Sequence, residues 1–193
     1  MIKKSLTSLI FKGLAFTQEE TKFIDQQFEK IQLKRGELVL GFNENVNHQF
    51  YVFSGCLRTF FVDSTGKEHT LQFAIKDWWI SDYIAYFNHS KSLLSIECIQ
   101  DATLYKIAKK DIERIYDRVP STERFFREKM EKAFVRFQKR ILSNLAETAT
   151  ERYLNFLRQY PNIEQKVKNY HIASYLGIAT ESLSRIRKEI AEE

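Results

Sequence analysis

Two kinds of hydrophobic pattern alternate along the chain, one with the period of a helix and one with the period of a strand. Near the N-terminus, a capping-box sequence at Thr17–Glu20 precedes apolar residues at helical spacing as far as Ile31, which predicts a helix of about three turns. From Leu38 to Ile107, short apolar segments are separated by turn residues, as in antiparallel strands. The clearest predicted hairpin turns at Asp63–Lys67. Because a sheet of about six to eight strands must close or stack to hide its edges, we expect a small barrel or jelly roll.

A long helix is predicted after Pro120. Residues 121–145 contain neither glycine nor proline, and most of their apolar positions form one broad stripe at helical spacing. Such a helix needs partners on two sides, and we predict its own β domain on one side and a symmetry mate on the other. A helix buried wholly inside the monomer is the alternative. The predicted dimerisation residues are Phe126, Met130, Phe134, Phe137 and Ile141.

The segment 169–188 fits a helix-turn-helix. Ala173 is small where two helices would cross, and Gly177 can supply the tight turn between them. The exposed face of the second helix would carry side chains suited to base edges and phosphates. An ordinary helical hairpin, with Glu181 and Arg185 as a solvated pair, is the alternative. The residues predicted to contact DNA are Thr180, Glu181, Ser182, Ser184, Arg185, Arg187, Lys188 and Lys168.

The charge distribution favours an anionic partner for this C-terminal part. The net charge is +5, and residues 105–193 hold the surplus, with 19 basic and 13 acidic side chains. Such asymmetry points to DNA before a membrane surface. We expect no membrane partner and a cytoplasmic protein, because the sequence has neither an apolar run long enough to span a bilayer nor a secretory signal pattern.

Few residues suggest enzyme chemistry or a metal site. The four histidines lack metal-ligand spacing, and two cysteines cannot build a four-thiolate site within one chain. No phosphate loop or nucleophile elbow is present. We therefore predict no enzymatic activity and no metal, with a jelly-roll enzyme as the weaker alternative, and we expect Cys56 and Cys98 to be core residues.

At this point the chain resembles the CRP/FNR superfamily of bacterial transcription regulators, which join a cyclic-nucleotide-binding-type jelly roll to a winged helix-turn-helix through a long dimerisation helix. Residues 175–186, YLGIATESLSRI, are similar to the family pattern L-G-x-[ST]-x-E-[ST]-[LV]-[SG]-R-[IL]. The resemblance implies that Glu181 and Arg185 read bases, while Thr180 stands where some members carry a base-contacting arginine.

The resemblance also implies the fold class and the domain organisation. We expect an α+β chain with an antiparallel jelly-roll sensor domain at 1–120, a dimerisation helix at 121–145 and a helix-turn-helix DNA-binding domain at 146–193. Only three residues follow Ile190, so most or all of the C-terminal wing is expected to be missing.

The family's nucleotide-binding signature is incomplete in this sequence. Members that bind cyclic AMP use a glutamate for the ribose and an arginine for the phosphate, and the similar stretches here lack that arginine. Asp82 and Lys91 could replace the two residues, although lysine lacks the planar fork that matches a phosphate. We identify no cofactor and favour an unknown effector, or none, over a cyclic nucleotide. If the alignment holds, the effector pocket is lined by Ser81, Asp82, Tyr83, Lys91 and Ser92.

The predicted function is a homodimeric, sequence-specific DNA-binding transcription regulator. Its expected partners are double-stranded DNA, a second copy of the chain, an unknown small-molecule effector and RNA polymerase. The alternative function is a ligand-sensing module that acts through a protein partner without binding DNA.

Overall fold

A computed structural model describes residues 5–192 of the chain. Two short helices precede a β region, and the C-terminal half is helical. The helices are α1 (Leu6–Ile10), α2 (Gln18–Asp25), α3 (Tyr83–Asn88), α4 (Lys109–Arg118), α5 (Ser121–Ala146), α6 (Ala149–Gln159), α7 (Asn169–Leu176) and α8 (Thr180–Glu192), with a 3-10 turn at Ile163–Gln165. The strands are β1 (Glu29–Leu33), β2 (Leu38–Leu40), β3 (His48–Val62), β4 (Glu68–Ile75), β5 (Trp79–Ile80) and β6 (Ser95–Ala108).

The six strands form one antiparallel sheet, hereafter the roll. Its main order is β1-β6-β3-β4, with β2 added to β6 and β5 added to β3. The predicted hairpin is confirmed, because β3 and β4 pair up to Val62 opposite Glu68 and Gly66 takes a positive φ of 84° in the turn. The predicted α+β class is confirmed as well.

The predicted N-terminal helix is only partly correct. Its capping box is confirmed, with the Thr17 hydroxyl accepting from the Glu20 amide and the Glu20 carboxylate accepting from the Thr17 amide. The helix nevertheless ends at Asp25, and Ile31 lies in β1 opposite Leu104 of β6. Pairing with a distant strand, which a local spacing pattern does not contain, overrides the helical preference of this segment.

Aliphatic side chains fill the centre of the roll. Val52, Leu57 and Leu104 are completely buried there. The expectation for the cysteines is confirmed, because Cys56 and Cys98 are free and buried. Burial raises the pKa of the Cys56 thiol to about 12 and that of Cys98 to about 11, so both remain unreactive thiols at neutral pH.

The helix α7 packs against the edge of the roll at β4. The Ser174 hydroxyl accepts from the Thr70 amide at 2.9 Å and donates to the Glu68 carbonyl at 3.0 Å. Because β4 ends the sheet order, these backbone groups would otherwise lack a partner on that side. Beside this contact, Phe73 of β4 packs on Phe156 of α6 at a ring-centroid distance of 6.0 Å. The roll and the C-terminal helices therefore share one hydrophobic core.

Candidate nucleic-acid interface

The two C-terminal helices have the predicted helix-turn-helix geometry. α7 ends at Leu176, and the next residue, Gly177, adopts the left-handed conformation (φ 68°, ψ 34°) and starts the turn that leads to α8. Ala173 is buried where the two helices meet. The seam between the helices is apolar, with Ile172, Leu176, Leu183 and Ile186 buried and Ile178 partly buried. One face of α8 therefore packs against the core, and the opposite face points outward.

The outward face of α8 carries the side chains suited to base recognition. Glu181, Ser184, Arg185 and Lys188 are exposed, while Thr180 and Ser182 are half-buried beside them. The Arg185 side chain is 74% exposed, and its Nε lies 3.9 Å from the Glu189 carboxylate. An exposed pair at this distance is weak, so Arg185 can exchange it for a base edge.

Arg187 points inward, contrary to its predicted contact with DNA. Its Nε donates to the Tyr153 hydroxyl at 3.0 Å, and its Nη1 donates to the Asn169 side chain at 2.7 Å. Residue 187 lies two positions after Arg185, about 200° around the helix, which explains the opposite direction. Lys168, also predicted to contact DNA, is exposed immediately before α7.

A cluster of charged residues around a buried arginine lies where α7 meets the roll. Arg58 of β3 is almost completely buried and pairs at 2.6 Å with both Glu68 and Glu97. His171 of α7 lies beside this cluster, with its Nε2 3.9 Å from Glu97 and its Nδ1 buried without a hydrogen-bond partner among the described residues. Burial, and then the positive charge of Arg58, lower the pKa of His171 to about 3, so the ring is neutral at pH 7.

The long helix α5 differs between its two halves. Phe126, predicted to dimerise, is buried inside its own subunit against Phe11 and Trp79, and that prediction is corrected. Met130 is half-buried. Farther along α5, Phe134 (64%) and Ile141 (58%) are exposed. They belong to a continuous set of exposed apolar side chains, hereafter the α5 stripe, made of Phe134, Val135, Phe137, Ile141, Leu142 and Leu145.

The residues predicted to line an effector pocket have structural roles in the roll. Asp82 is completely buried and accepts four backbone N–H groups, from residues 84, 85, 93 and 94. Ser81 and Ser92 are buried and donate to backbone carbonyls, whereas Lys91 is exposed. Only Tyr83 of the five lines a cavity described below. The structure therefore does not bring these five side chains together around a ligand.

That cavity, hereafter the junction cavity, has a volume of about 460 Å³ and lies where the roll, α5 and the helix-turn-helix part meet. Trp78 and Trp79 contribute from the roll, Arg136 and Arg140 from α5, and Tyr160 and Tyr175 from the C-terminal helices. Apart from Tyr83 and the α5 residues at positions 126, 130, 134 and 137, the lining residues were not predicted to form a site. Aromatic residues are as typical of a hydrophobic core as of a cavity wall, so their types alone do not mark one.

No helix within residues 5–192 is both long and apolar enough to cross a membrane. Over the same described range, no group of three or more His, Cys, Asp or Glu side chains is arranged to hold a metal ion.

Comparison with known proteins finds a similarity in the N-terminal part of the chain. Residues 30–119 match the family model of the cyclic nucleotide-binding domain. No curated protein sequence matches the chain.

Solved structures extend the similarity to most of the chain. FixK2 from Bradyrhizobium japonicum aligns with a TM-score of 0.73 at 16% identity, covering 86% of this chain and 85% of FixK2. The c-di-GMP-responsive global regulator CLP of Xanthomonas campestris aligns with a TM-score of 0.71 at 11% identity, covering 91% and 92%. A CRP/FNR-family transcriptional regulator from Eubacterium rectale aligns with a TM-score of 0.68 at 21% identity, covering 91% and 84%. Residues 30–119 are thus similar to the cyclic nucleotide-binding domain, and the chain has the fold of CRP/FNR regulators, which confirms the resemblance noted in the sequence.

Proposed function

We propose that this protein is a homodimeric, sequence-specific DNA-binding transcription regulator that acts in the cytoplasm and has no enzymatic activity. The observation that carries the proposal is the outward face of α8, where Glu181, Ser184 and Arg185 are exposed on a helix whose opposite face is buried. A helix with this disposition can enter a major groove, where arginine binds guanine O6 and N7 together and glutamate accepts from the cytosine amino group.

The α5 stripe supports self-association. Its side chains are exposed at positions 134, 137, 141 and 145, a spacing that aligns them along one side of the helix. A second copy of α5 would bury them about a two-fold axis and place two α8 helices on one side of the dimer. Recognition helices in such dimers enter successive major grooves about 34 Å apart, so the expected target is a pseudo-palindrome.

Selection of binding sites from a random duplex pool tests the proposed function. The experiment compares the wild type with Arg185→Ala at low and near-physiological salt, because phosphate contacts make affinity strongly salt-dependent. We expect the wild type to enrich a two-fold symmetric motif and the variant to relax one base of each half-site. No enrichment by either protein, with no binding at low salt, would contradict the proposal and favour the module that acts through a protein partner.

The dimer is tested separately by sedimentation of Ile141→Glu, which places a carboxylate in the α5 stripe. We expect this variant to sediment as a monomer. Arg124→Glu is the matched control, because it places the same carboxylate at an exposed position near the start of α5, outside the α5 stripe, and should leave the dimer intact. A monomeric wild type, or dissociation of both variants, would contradict the proposal that the α5 stripe forms the dimer interface.

A further inference from the structure

The junction cavity is the right size for a small organic ligand. Its volume of about 460 Å³ lies within the range of ligand pockets, about 300–1,000 Å³. Most of its wall is apolar and aromatic. The rings of Trp78 and Tyr160 are 5.5 Å apart, and Trp79 packs on Phe126 at 4.7 Å. Flat walls of this kind favour a ligand with an aromatic body.

Positive charge dominates the polar part of the wall. Lys129, Lys132, Arg136 and Arg140 line the cavity along one side of α5. The Arg136 guanidinium lies over the Trp78 ring at 4.8 Å, and the Arg140 Nε is buried without a hydrogen-bond partner among the described residues. Burial, and then the nearby charge of Lys132, lower the pKa of Lys129, which indicates that these cations repel one another.

The lining offers little negative charge to balance these cations. Asp77 is the one carboxylate among the described lining residues, and it already accepts from Lys12 and from the Tyr51 hydroxyl. The cavity therefore has no free carboxylate for the hydroxyl groups of a ribose. It has cations that an anionic group would neutralise.

We propose that the junction cavity binds a small aromatic compound that carries one anionic group, with its ring against Trp78 and Trp79 and its charge near Arg136. This inference rests on the proposed function, because it names the effector class of the regulator. It differs from the sequence-based effector pocket, whose Asp82 and Ser92 are already hydrogen-bonded within the roll.

The position of the cavity explains how such a compound could act on DNA binding. Tyr160 and Tyr175 belong to the C-terminal part, while the tryptophans belong to the roll and Arg136 to α5. A ligand that contacts all three parts stabilises the arrangement in which they surround it. It can shift the equilibrium between arrangements by as much as its affinity differs between them.

The chain provides its own reporter for this site, because its two tryptophans both line the cavity. We would titrate the full-length protein with 4-nitrobenzoate, an aromatic anion that quenches tryptophan fluorescence, and with the uncharged 4-nitrobenzyl alcohol. Free N-acetyltryptophanamide corrects for absorption and collisional quenching. We expect saturable quenching by both compounds and about tenfold tighter binding of the anion, as for one charge-assisted contact.

Variants of α5 test where the charge is recognised. Arg136→Gln should weaken 4-nitrobenzoate binding about tenfold and leave the alcohol unchanged, which also shows that the cavity is intact. Arg136→Lys should keep part of the preference for the anion. Arg124→Gln is the matched control, since Arg124 lies on the same helix, pairs with Glu128 and does not line the cavity.

Three results would overturn the inference: quenching that does not saturate, equal affinity for the two compounds, or an equal effect of Arg136→Gln and Arg124→Gln. Failure of the proposed ligand binding can be distinguished from failure of the proposed DNA binding. Enrichment of a DNA motif without saturable probe binding rejects the ligand class alone. Saturable, anion-selective binding without any DNA binding rejects the regulator and keeps the cavity.

Discussion

The outward face of α8 and the segment Ser81–Leu94 of the roll are both rich in polar side chains, yet they differ in what those side chains contact. Glu181 and Arg185 are exposed, and the ion pair of Arg185 with Glu189 is weak. In contrast, Asp82 is completely buried and accepts four backbone N–H groups. A suitable residue type therefore marks a binding site only where the fold leaves the side chain free to bind.

Asp82→Asn has the largest expected effect on the stability of the protein. Replacing one carboxylate oxygen by an amide NH2 removes an acceptor from buried N–H groups, so we expect a loss of about 3 kcal/mol in the free energy of unfolding. Urea unfolding measures the loss. Asp117→Asn, at an exposed position of α4, is the control and should change stability by less than about 0.5 kcal/mol. Equal stability of the two variants would show that Asp82 does not hold this segment.

The next effect is the pH dependence of stability that comes from His171. Its pKa is lowered to about 3 in the folded protein, first by burial and then by Arg58, whereas the unfolded value is about 6.5. The unfolded chain therefore binds more protons between these values, and the stabilisation present above pH 6.5 is lost as pH falls. We expect a loss of about 2 kcal/mol between pH 7 and pH 5.

Urea unfolding of His171→Phe isolates this contribution. The comparison needs the variant because burial also lowers the pKa of His48, which acts in the same direction in the wild type. The variant should lose less stability than the wild type over the same pH interval. Identical pH profiles would show that His171 is not buried as a neutral ring beside Arg58.

The smallest expected effect on stability comes from replacing Ser174 of the helix-turn-helix, and Ser184 of the same unit provides a matched control. Ser174→Ala leaves the Thr70 amide and the Glu68 carbonyl of β4 without their side-chain partner, which should cost about 1–2 kcal/mol and speed amide hydrogen exchange at Thr70. Ser184→Ala, on the outward face of α8, should cost less than about 0.5 kcal/mol. Unchanged exchange at Thr70 in Ser174→Ala would contradict the docking of α7 on the roll.

Local sequence patterns were sufficient to predict the helices and turns that depend mainly on neighbouring residues. The 26-residue helix α5 follows from its uninterrupted apolar spacing, and the turn between α7 and α8 follows from Gly177. Contacts between distant residues had no such signal. Ile31 pairs with β6, and Ser174 contacts β4 across more than a hundred residues, so neither environment can be read from neighbouring positions.

The same limit applies to the candidate sites. The exposed residues of α8 could be predicted because the apolar residues of this helix mark the face that packs on the core, and the opposite face then points outward. Arg187 was assigned to DNA from its charge, whereas its direction depends on Tyr153 of α6 and on Asn169. The junction cavity combines residues from three parts of the chain, and its aromatic lining cannot be distinguished from core residues by composition.

The most direct test of the central claim compares Arg185→Ala with Arg187→Ala in binding to the selected duplex and to a scrambled one. We expect Arg185→Ala to lose about 1–3 kcal/mol of binding free energy on the selected duplex and little on the scrambled duplex, because one bidentate base contact disappears. Arg187→Ala, measured at a temperature where it is folded, should retain the wild-type preference between duplexes. Binding of both duplexes by Arg185→Ala as by the wild type, or loss of the preference in Arg187→Ala alone, would contradict base recognition by Arg185.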